Sequence, residues 1–509
     1  MQKSFPPTRL FHVIPTGGVM TAGRDHFINN EWVEGQGAEF HSTDPATVDI
    51  VRHGRSAAGR QVDQAVQAAF AAWESWADRA VAERLRHLEA FGVRLETRKE
   101  ELAETISRET GKPLWESLSE VAAMKRKIAL SVQAFQERRA TEEGNLGGAR
   151  TALRFKSHGV VGVIGPFNMP GHLPNGHIAP AFLAGNTVVF KPSRQTAAVG
   201  ALTVELWQEA GLPPGVINLV QGGRDTAGAM IADPRLRGLF FTGCSETGKA
   251  IHQAFVGRPE VILALEMGGN NPLIVHDIAD LDAASYLTIQ SAFITAGQRC
   301  TCARRLIVLN GAEGDRFIDR LISMMKRIRV GAYSDEPEPF MGPVISERVA
   351  EDLLAAQEEL LGKGGRPLVP LRRLDRPGAF VSPGLVDVTE VQQRRDVELF
   401  GPLLQVIRVQ DFDTAIREAN NTRFGLAAAL LSDNRDLYDR FYRKIHAGVV
   451  NWNRQPTGAS GKMPFGGVGL SGNHRPSGYY AADYCSYPVA SIEADRLTMH
   501  AERTPGVDL

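Results

Sequence analysis

The sequence predicts an α/β protein with largely parallel sheets, divided into more than one domain. Three observations carry this expectation. Short apolar runs alternate with helical stretches between about residues 159 and 275, a second alternation follows from about 280 to 450, and 509 residues exceed what one simple core organises. Right-handed crossovers then set the carboxyl ends of the strands along one edge, where ligands bind.

Composition narrows the class. Hydrophobic residues make up 43% and charged residues 23%, and the formal net charge is −1. This is the balance of an ordinary globular chain, with no basic field for nucleic acid and no lysine-arginine block for a membrane surface. Four cysteines, Cys244, Cys300, Cys302 and Cys485, are too sparse for a disulfide scaffold, so a reducing, cytoplasmic setting is expected. No stretch reaches the roughly 18 uninterrupted apolar residues of a spanning helix. Residues 1–20 lack an apolar core of signal-peptide length, and residues 1–23 are expected to be a disordered extension.

Along the chain, Val62, Ala65, Val66, Ala69, Phe70 and Trp73 recur at helical spacing, and Leu85, Leu88, Phe91 and Leu95 follow. Both stripes read as core packing. A further helix is expected over 117–137, with Lys125, Arg126 and Lys127 in one turn, where a solvated face is the ordinary reading. The first alternation contains the runs Val160–Ile164, Thr187–Phe190, Val216–Val220, Leu239–Phe241, Val261–Leu265 and Pro272–Val275, with helical stretches such as Ala197–Ala210 and Thr247–Phe255 between. Phe190-Lys191-Pro192-Ser193 and Phe241-Thr242-Gly243 follow two of these runs, which is where a dinucleotide is expected. The second alternation includes Arg305–Val308, a helix over Asp315–Arg329, and Gly448–Asn451. The tail after Pro488 is mixed and polar.

Several residues suit the chemistry of a carbonyl group. Cys300 lies in Thr295-Ala-Gly-Gln-Arg-Cys-Thr-Cys302, where small residues allow close backbone approach and Arg299 could favour a thiolate. A thiolate adds to a carbonyl and leaves well from a thioester. An inert buried cysteine is the alternative, as is a Cys-x-Cys metal site, but no second Cys/His cluster stands at ligand spacing. Glu266 follows the apolar run Val261–Leu265 and precedes Met267-Gly268-Gly269, as a turn hydrogen-bonder or as a base in a partly dry cleft. Asn168, in Gly165-Pro-Phe-Asn-Met-Pro170, is either a turn asparagine or a donor to an oxyanion. Gly243-Cys-Ser-Glu-Thr-Gly248 has two glycines and is a weak phosphate signal by itself.

Taken together, these segments resemble the aldehyde dehydrogenase superfamily. The matches are Glu109-Thr-Gly-Lys-Pro113, Gly165-Pro-Phe-Asn-Met-Pro170, Lys191-Pro-Ser193, Phe241-Thr-Gly243, Leu265-Glu-Met-Gly-Gly269, Gly297-Gln-Arg-Cys300, Glu398-Leu-Phe-Gly-Pro402 and Pro464-Phe-Gly-Gly467, in the family's order from about residue 25 onward. The resemblance implies a Rossmann-like cofactor domain (24–143 and 163–267), an α/β catalytic domain (268–481) and a β oligomerisation element (144–162 and 482–509) that joins a homodimer or homotetramer. It implies Cys300 as nucleophile, Glu266 as base for water, and Asn168 with the Cys300 amide as oxyanion donors. It also implies an NAD or NADP site in which Lys191 and Ser193 meet the adenosine ribose. Gly243, Cys244, Ser245, Glu246, Thr247 and Gly248 would pass the pyrophosphate, and Glu398 and Phe400 would meet the nicotinamide end.

Within the superfamily, Leu263–Pro272, Gln298–Arg305, Asn451-Trp-Asn453 and Ser471–Ser477 resemble a branch that oxidises an N-succinylated glutamate semialdehyde in arginine degradation. Such a dicarboxylate calls for cations near the tunnel mouth, and the candidates are Arg454, Arg475, His474, Arg299 and Lys127. Gly176 and His177 fall where relatives often carry bulky aromatic residues. Two departures from the family pattern bear on the cofactor. Arg194 stands where many relatives have glutamate, and arginine accepts a 2′-phosphate that glutamate repels. Cys244 replaces a common serine, a stronger hydroxyl donor. The alternatives are a dehydrogenase of another semialdehyde, a CoA-acylating enzyme, which Glu266 argues against, and a non-catalytic relative.

Overall fold

The computed structural model describes residues 23–497 and 506. The extension expected at 1–23 therefore lies, except for residue 23, outside the described residues.

The first sheet is built around a buried parallel core. Ile262–Met267, Leu236–Gly243, Val160–Ile164, Thr187–Lys191 and Ile217–Leu219 lie side by side in that order, all parallel. An antiparallel hairpin, His26–Ile28 with Glu31–Val33, extends the far edge. Alternate residues of the central strand enter opposite cores: Val161 and Val163 pack with Phe91, Phe182 and Trp207, while Val160 and Ile164 pack with Val62, Val66 and Met230. Burial on both faces is why these runs are continuously apolar rather than alternating. Strand order reverses between Val160–Ile164 and Leu236–Gly243, and that reversal opens a crevice at the carboxyl ends of the two strands.

The second sheet runs Arg366–Val369, Gly384–Asp387, Leu403–Val409, Ala303–Leu309, Asn271–Val275, Ala427–Leu431 and Val449–Trp452, parallel except at its first strand. Its core gathers Leu273, Ile274, Leu306, Ile307, Val406 and Leu430.

A third, antiparallel sheet joins distant parts of the chain. Glu142–Leu146 turns through Gly147 and Gly148 (φ 58° and 88°) into Ala149–Ser157, which pairs with Ser486–Glu493. Two successive residues at positive φ suit a tight hairpin. Of the expected β element, 144–146, 149–157 and 486–493 fall on this sheet; Val160–Gly162 belong to the central strand of the first, 482–484 to a short helix, and 498–509, except residue 506, lie outside the described residues. The tail after Pro488 is thus ordered strand as far as Glu493. Asn186 Nδ2 donates to the Cys485 carbonyl at 2.7 Å and fastens this return to the first sheet.

The helix expected over 117–137 spans Leu114–Arg138. Lys125 and Arg126 are exposed, but Lys127 is buried, contrary to a wholly solvated cluster. Its place follows from spacing, since Met124, Lys127 and Ser131 share the inward face. Among the described residues, no helix is long and apolar enough to cross a membrane.

Candidate active site

Two buried acids brace the walls of the site. Glu109 accepts from the backbone N–H groups of Ala198 (2.8 Å) and Val199 (2.9 Å) and from the Ser42 hydroxyl, serving as a remote cap for the helix Ala197–Glu209. Burial pushes its carboxyl up to about 7. Glu120 pairs with Lys112, both fully buried, and its other oxygen accepts from Gly171 N (2.9 Å) and His172 N (3.0 Å). Lys112 also donates to the Asn168 carbonyl at 3.0 Å. The Lys112–Glu120 pair thereby fixes the loop that carries Asn168. The Asn168 side-chain amide points at the turn before Cys300, donating to Gln298 O at 2.9 Å.

That turn is tightly wound. Thr295, Ala296 and Gly297 take φ values of 57°, 51° and 70°. A Cβ at Gly297 would fall 2.2 Å from Gly401 O, so only glycine permits the contact. Asn271 Nδ2 donates to both Cys300 O (2.7 Å) and Cys302 O (2.9 Å), tying the turn to the second sheet. Cys300 is partly exposed, whereas Cys302 is buried with Sγ 3.8 Å from Ile294 O. The two thiols diverge through a turn, with Cys302 N donating to Arg299 O at 3.0 Å, rather than through an extended segment. Burial pushes the Cys300 thiol up to about 12, reinforced by Glu398 and Glu266 and opposed by Arg304.

Arg299 does not serve the thiol as its position in sequence suggested. Its guanidinium lies 2.7 Å from Glu116 and donates to Thr295 Oγ1 at 2.8 Å. Arg304, rather than Arg299, is a cation that favours the Cys300 thiolate.

Glu266 sits near the carboxyl end of Ile262–Met267. One oxygen accepts from Ser477 N at 3.0 Å, and the other is buried without a partner among the described residues. Burial raises this carboxyl to about 8. The segment from Ser471 to Ser477 is stitched alongside: Asn473 accepts from Leu265 N and donates to Leu263 O, both at 2.9 Å, and Ser471 Oγ donates to Gly268 O at 2.7 Å. Two stretches singled out in sequence, Leu263–Pro272 and Ser471–Ser477, are therefore one structural unit.

The crevice at the strand reversal carries the expected cofactor residues. Lys191 is buried and donates to Pro192 O and Gly222 O, both at 3.0 Å; burial, with a contribution from Arg194, lowers its ammonium to about 8. Ser193 Oγ accepts from Gln195 N at 3.3 Å, and Arg194 is exposed beside it. Cys244 stands at the N-cap of the helix Ser245–Ala254, which includes Glu246, Thr247 and Gly248. Its thiol lies 3.2 Å from Thr247 Oγ1 and does not cap the helix, so the first-turn amides stay available to an anion. A Cβ at Gly248 would lie 2.2 Å from Met267 Sδ, so glycine lets this helix press against the Glu266 strand. At the inner end, Glu398 accepts from Gly269 N at 3.2 Å, and burial raises it to about 7. Phe400 packs edge-on against Phe167, centroids 5.8 Å apart. A buried amine, an open helix N-terminus and a dry carboxyl along one crevice fit a dinucleotide.

The five candidates for a substrate carboxylate separate clearly. Lys127 Nζ donates to Gly478 O at 2.5 Å and has no carboxylate partner among the described residues. A Cβ at Gly176 would stand 4.0 Å from its Cε, so the absent side chain leaves the lysine open on that side. Burial lowers its ammonium to about 8. Arg299 is committed to Glu116. Arg475 lines an outer groove with His158, Arg237, His252 and Tyr487, at the amino end of Ile262–Met267. His474 and Arg454 are exposed. His177 is buried between Tyr484 OH (2.7 Å) and Thr242 Oγ1 (3.3 Å).

Sequence reasoning passed over Asn271, Arg304, Ser477 and the Lys112–Glu120 pair. Asn271 and Arg304 carried a signal, being polar residues at the entry of strands that are otherwise apolar and buried.

Comparison with known proteins agrees with this geometry. Residues 32–489 match the model of the aldehyde dehydrogenase family. The chain is 56% identical over 483 residues to N-succinylglutamate 5-semialdehyde dehydrogenase of Pseudomonas fluorescens, covering 95% of this chain and 99% of that protein. Among solved structures, it superposes on 1-pyrroline-5-carboxylate dehydrogenase from Thermus with bound NAD at a TM-score of 0.87, with 30% identity and 93% of each chain covered. It also superposes on NADP-dependent glyceraldehyde-3-phosphate dehydrogenase from Bacillus halodurans complexed with NADP, at a TM-score of 0.85 and 28% identity, covering 93% of this chain and 99% of that one. The chain belongs to the aldehyde dehydrogenase family, whose reaction is the NAD(P)-dependent oxidation of an aldehyde.

Proposed function

We propose that this enzyme oxidises N-succinyl-L-glutamate 5-semialdehyde to N-succinyl-L-glutamate, with NAD, through a thioester on Cys300. The observation that carries the substrate is the 56% identity, over 95% of the chain, to a dehydrogenase of that semialdehyde. The buried, acid-free Lys127 beside Gly176 supports it, since a charged group without a counter-charge is costly unless a ligand supplies one. Lys127 therefore ranks first for a substrate carboxylate, with Arg454 next as an exposed cation of the C-terminal loops. Arg299 ranks lower because Glu116 holds it, Arg475 because it lines the outer groove, and His474 because it is an exposed imidazole rather than a fixed cation.

In this reading Cys300 Sγ adds to the aldehyde carbon. The Asn168 amide, aimed at the turn by its bond to Gln298 O, and the Cys300 N–H hold the oxyanion. The bound nicotinamide supplies the hydride acceptor. Loss of hydride from the tetrahedral carbon leaves a thioester, and Glu266 takes a proton from the water that cleaves it. The unpartnered oxygen of Glu266 supports that role, being a buried acceptor kept free for a proton. It also favours water over CoA as the acyl acceptor. Lys191, Ser193, the helix start at Ser245 and Glu398 would hold the dinucleotide, with Arg194 tempering discrimination against NADP. The third sheet, with both edges free among the described residues, suits subunit pairing in a dimer or tetramer in the cytoplasm. The chain divides, in this reading, into a cofactor domain, a catalytic domain and a β element, with Val160–Gly162 belonging to the cofactor domain.

The test is a panel of semialdehydes and simple aldehydes, each with NAD and with NADP, followed by reduced-cofactor absorbance with and without CoA. Preference for the succinylated semialdehyde, without need of CoA, is the expected result. Preference for propanal or benzaldehyde would overturn the substrate assignment and leave the family chemistry standing.

A further inference from the structure

Arg304 and Arg305 open the strand Ala303–Leu309, and their side chains leave on opposite faces. Arg305 has an evident structural role, donating to Asn270 O (2.9 Å), Glu418 O (2.7 Å) and Ala419 O (2.8 Å), the last two at the end of the helix Phe412–Ala419. A cation suits that helix terminus. Arg304 is fully buried and reaches both the end of the short 3-10 turn Ile294–Gly297 and a second, distant loop.

Its partners come from two loops far apart in the chain. Nη1 donates to Gly297 O at 2.5 Å and to Gly401 O at 3.3 Å. Nη2 donates to Arg299 O at 2.9 Å and lies 4.0 Å from Glu398 Oε1. Its Cζ is 5.4 Å from the Phe400 ring centroid. One planar fork thus joins the stretch Gly297–Arg299, immediately before Cys300, to the Glu398–Gly401 loop. Arginine suits this because its donors are fixed in one plane, which a flexible lysine ammonium does not reproduce. The cost of burying the guanidinium, with Nε left unpartnered among the described residues, calls for a return beyond folding.

We propose that Arg304 is a positioning residue that fastens the Cys300 turn to the Glu398–Phe400 loop, so that occupation of the nicotinamide end of the crevice is felt at the nucleophile. This rests on Cys300 being the nucleophile. Around Cys300, burial, Glu398, Glu266 and Cys302 disfavour thiolate and Arg304 favours it. Its loss would remove both the clamp and that field.

The experiment follows alkylation of Cys300 by iodoacetamide in the cofactor-free full-length enzyme, read at the Cys300 peptide by mass spectrometry, alongside kcat and KM. Arg304→Met should slow alkylation at each pH between about 7 and 9, because the clamp on the turn before Cys300 is lost and with it a cation that favours thiolate. It should lower kcat by at least about tenfold, with the KM for cofactor little changed. Arg304→Lys, which keeps the charge without the fork, should restore alkylation to within about threefold but not kcat. A folded Arg304→Met enzyme with a native alkylation rate or a native kcat overturns the proposal. If that variant does not fold, Arg304→Lys decides: a native kcat overturns the proposal, and a reduced kcat with near-native alkylation supports it. Activity retained in Cys300→Ala would defeat the nucleophile assignment itself, which these Arg304 outcomes do not touch.

Discussion

Replacing Glu266 by glutamine separates the two halves of the reaction. Glutamine keeps the shape and can still accept from Ser477 N through its carbonyl, so the strand and the Ser471–Ser477 segment should stay in register. What disappears is the base. Burial lifts this carboxyl from 4.5 to about 8, which costs the ionised form roughly 5 kcal/mol at ~1.4 kcal/mol per pH unit. The native enzyme at neutral pH would then hold only about a tenth of its Glu266 ionised. If hydrolysis of the thioester limits turnover, native kcat should rise about tenfold per pH unit below that midpoint and level off above it. Glu266→Gln should lose the rise, and its steady state should fall by about 10²- to 10⁴-fold, the usual contribution of a positioned base. Acylation precedes water attack, so stopped-flow absorbance should still record a burst of reduced cofactor equal to the active sites. A variant with no burst, or with the native pH profile intact, would refute the reasoning; the first result would move Glu266 to the thiol-activating step. The same raised carboxyl affects stability. Its folded form binds a proton more tightly than its unfolded form, so its contribution should fall as pH rises from about 4.5 to about 8.

Four further outcomes are expected. Cys300→Ala should abolish turnover while Cys302→Ala keeps most of it, since the Cys302 thiol faces Ile294 O; equal losses would make the assignment untenable. Lys127→Met should cut kcat/KM for the dicarboxylate semialdehyde by roughly 10- to 100-fold, the loss of one charged hydrogen bond, while a short neutral aldehyde is nearly unaffected. Equal losses on both substrates would place Lys127 in the fold rather than the site. Arg194→Glu should reduce NADP use more than NAD use, and an unchanged ratio of kcat/KM values would show that the exposed guanidinium does not reach the ribose. Lys112→Met leaves Glu120 charged and buried, which should cost about 3–5 kcal/mol in urea denaturation and loosen the Asn168 loop. A native midpoint would show that the pair is dispensable.

The sequence made the chemistry legible where backbone demands are severe. Gly297 must be glycine against Gly401 O, and Gly248 against Met267, so motifs around Cys300 and the cofactor helix leave a readable trace. The sheets were legible because strands buried on both faces become uninterrupted apolar runs. Charged residues were the least legible. Arg299 adjoins Cys300 in sequence, yet Glu116, contributed by another helix, captures it. Lys127 looked solvated beside Lys125 and Arg126, although its spacing from Met124 and Ser131 placed it inward. Arg304 acquires its meaning only when residues 297–299 and 401 are brought to one point, and no local pattern encodes that meeting.

The late return of the chain through residues 471–493 sets a timetable for biosynthesis. Glu266 receives its partner from Ser477, 211 residues downstream, and Ala152 receives Ser491 from 339 residues downstream. While the ribosome is still making this stretch, the first sheet can assemble, but its edge strand Ile262–Met267 lacks the Asn473 clasp and the strand Ala149–Ser157, paired with Glu142–Leu146, lacks its second neighbour. Contacts so distant in sequence form slowly and leave edges open to foreign pairing in the meantime. The Glu266 clasp at 473–477 thus closes shortly before the third sheet is completed by Ser486–Glu493, so a nascent chain passes briefly through a state in which Glu266 is held and Ala149–Ser157 is still open along one edge.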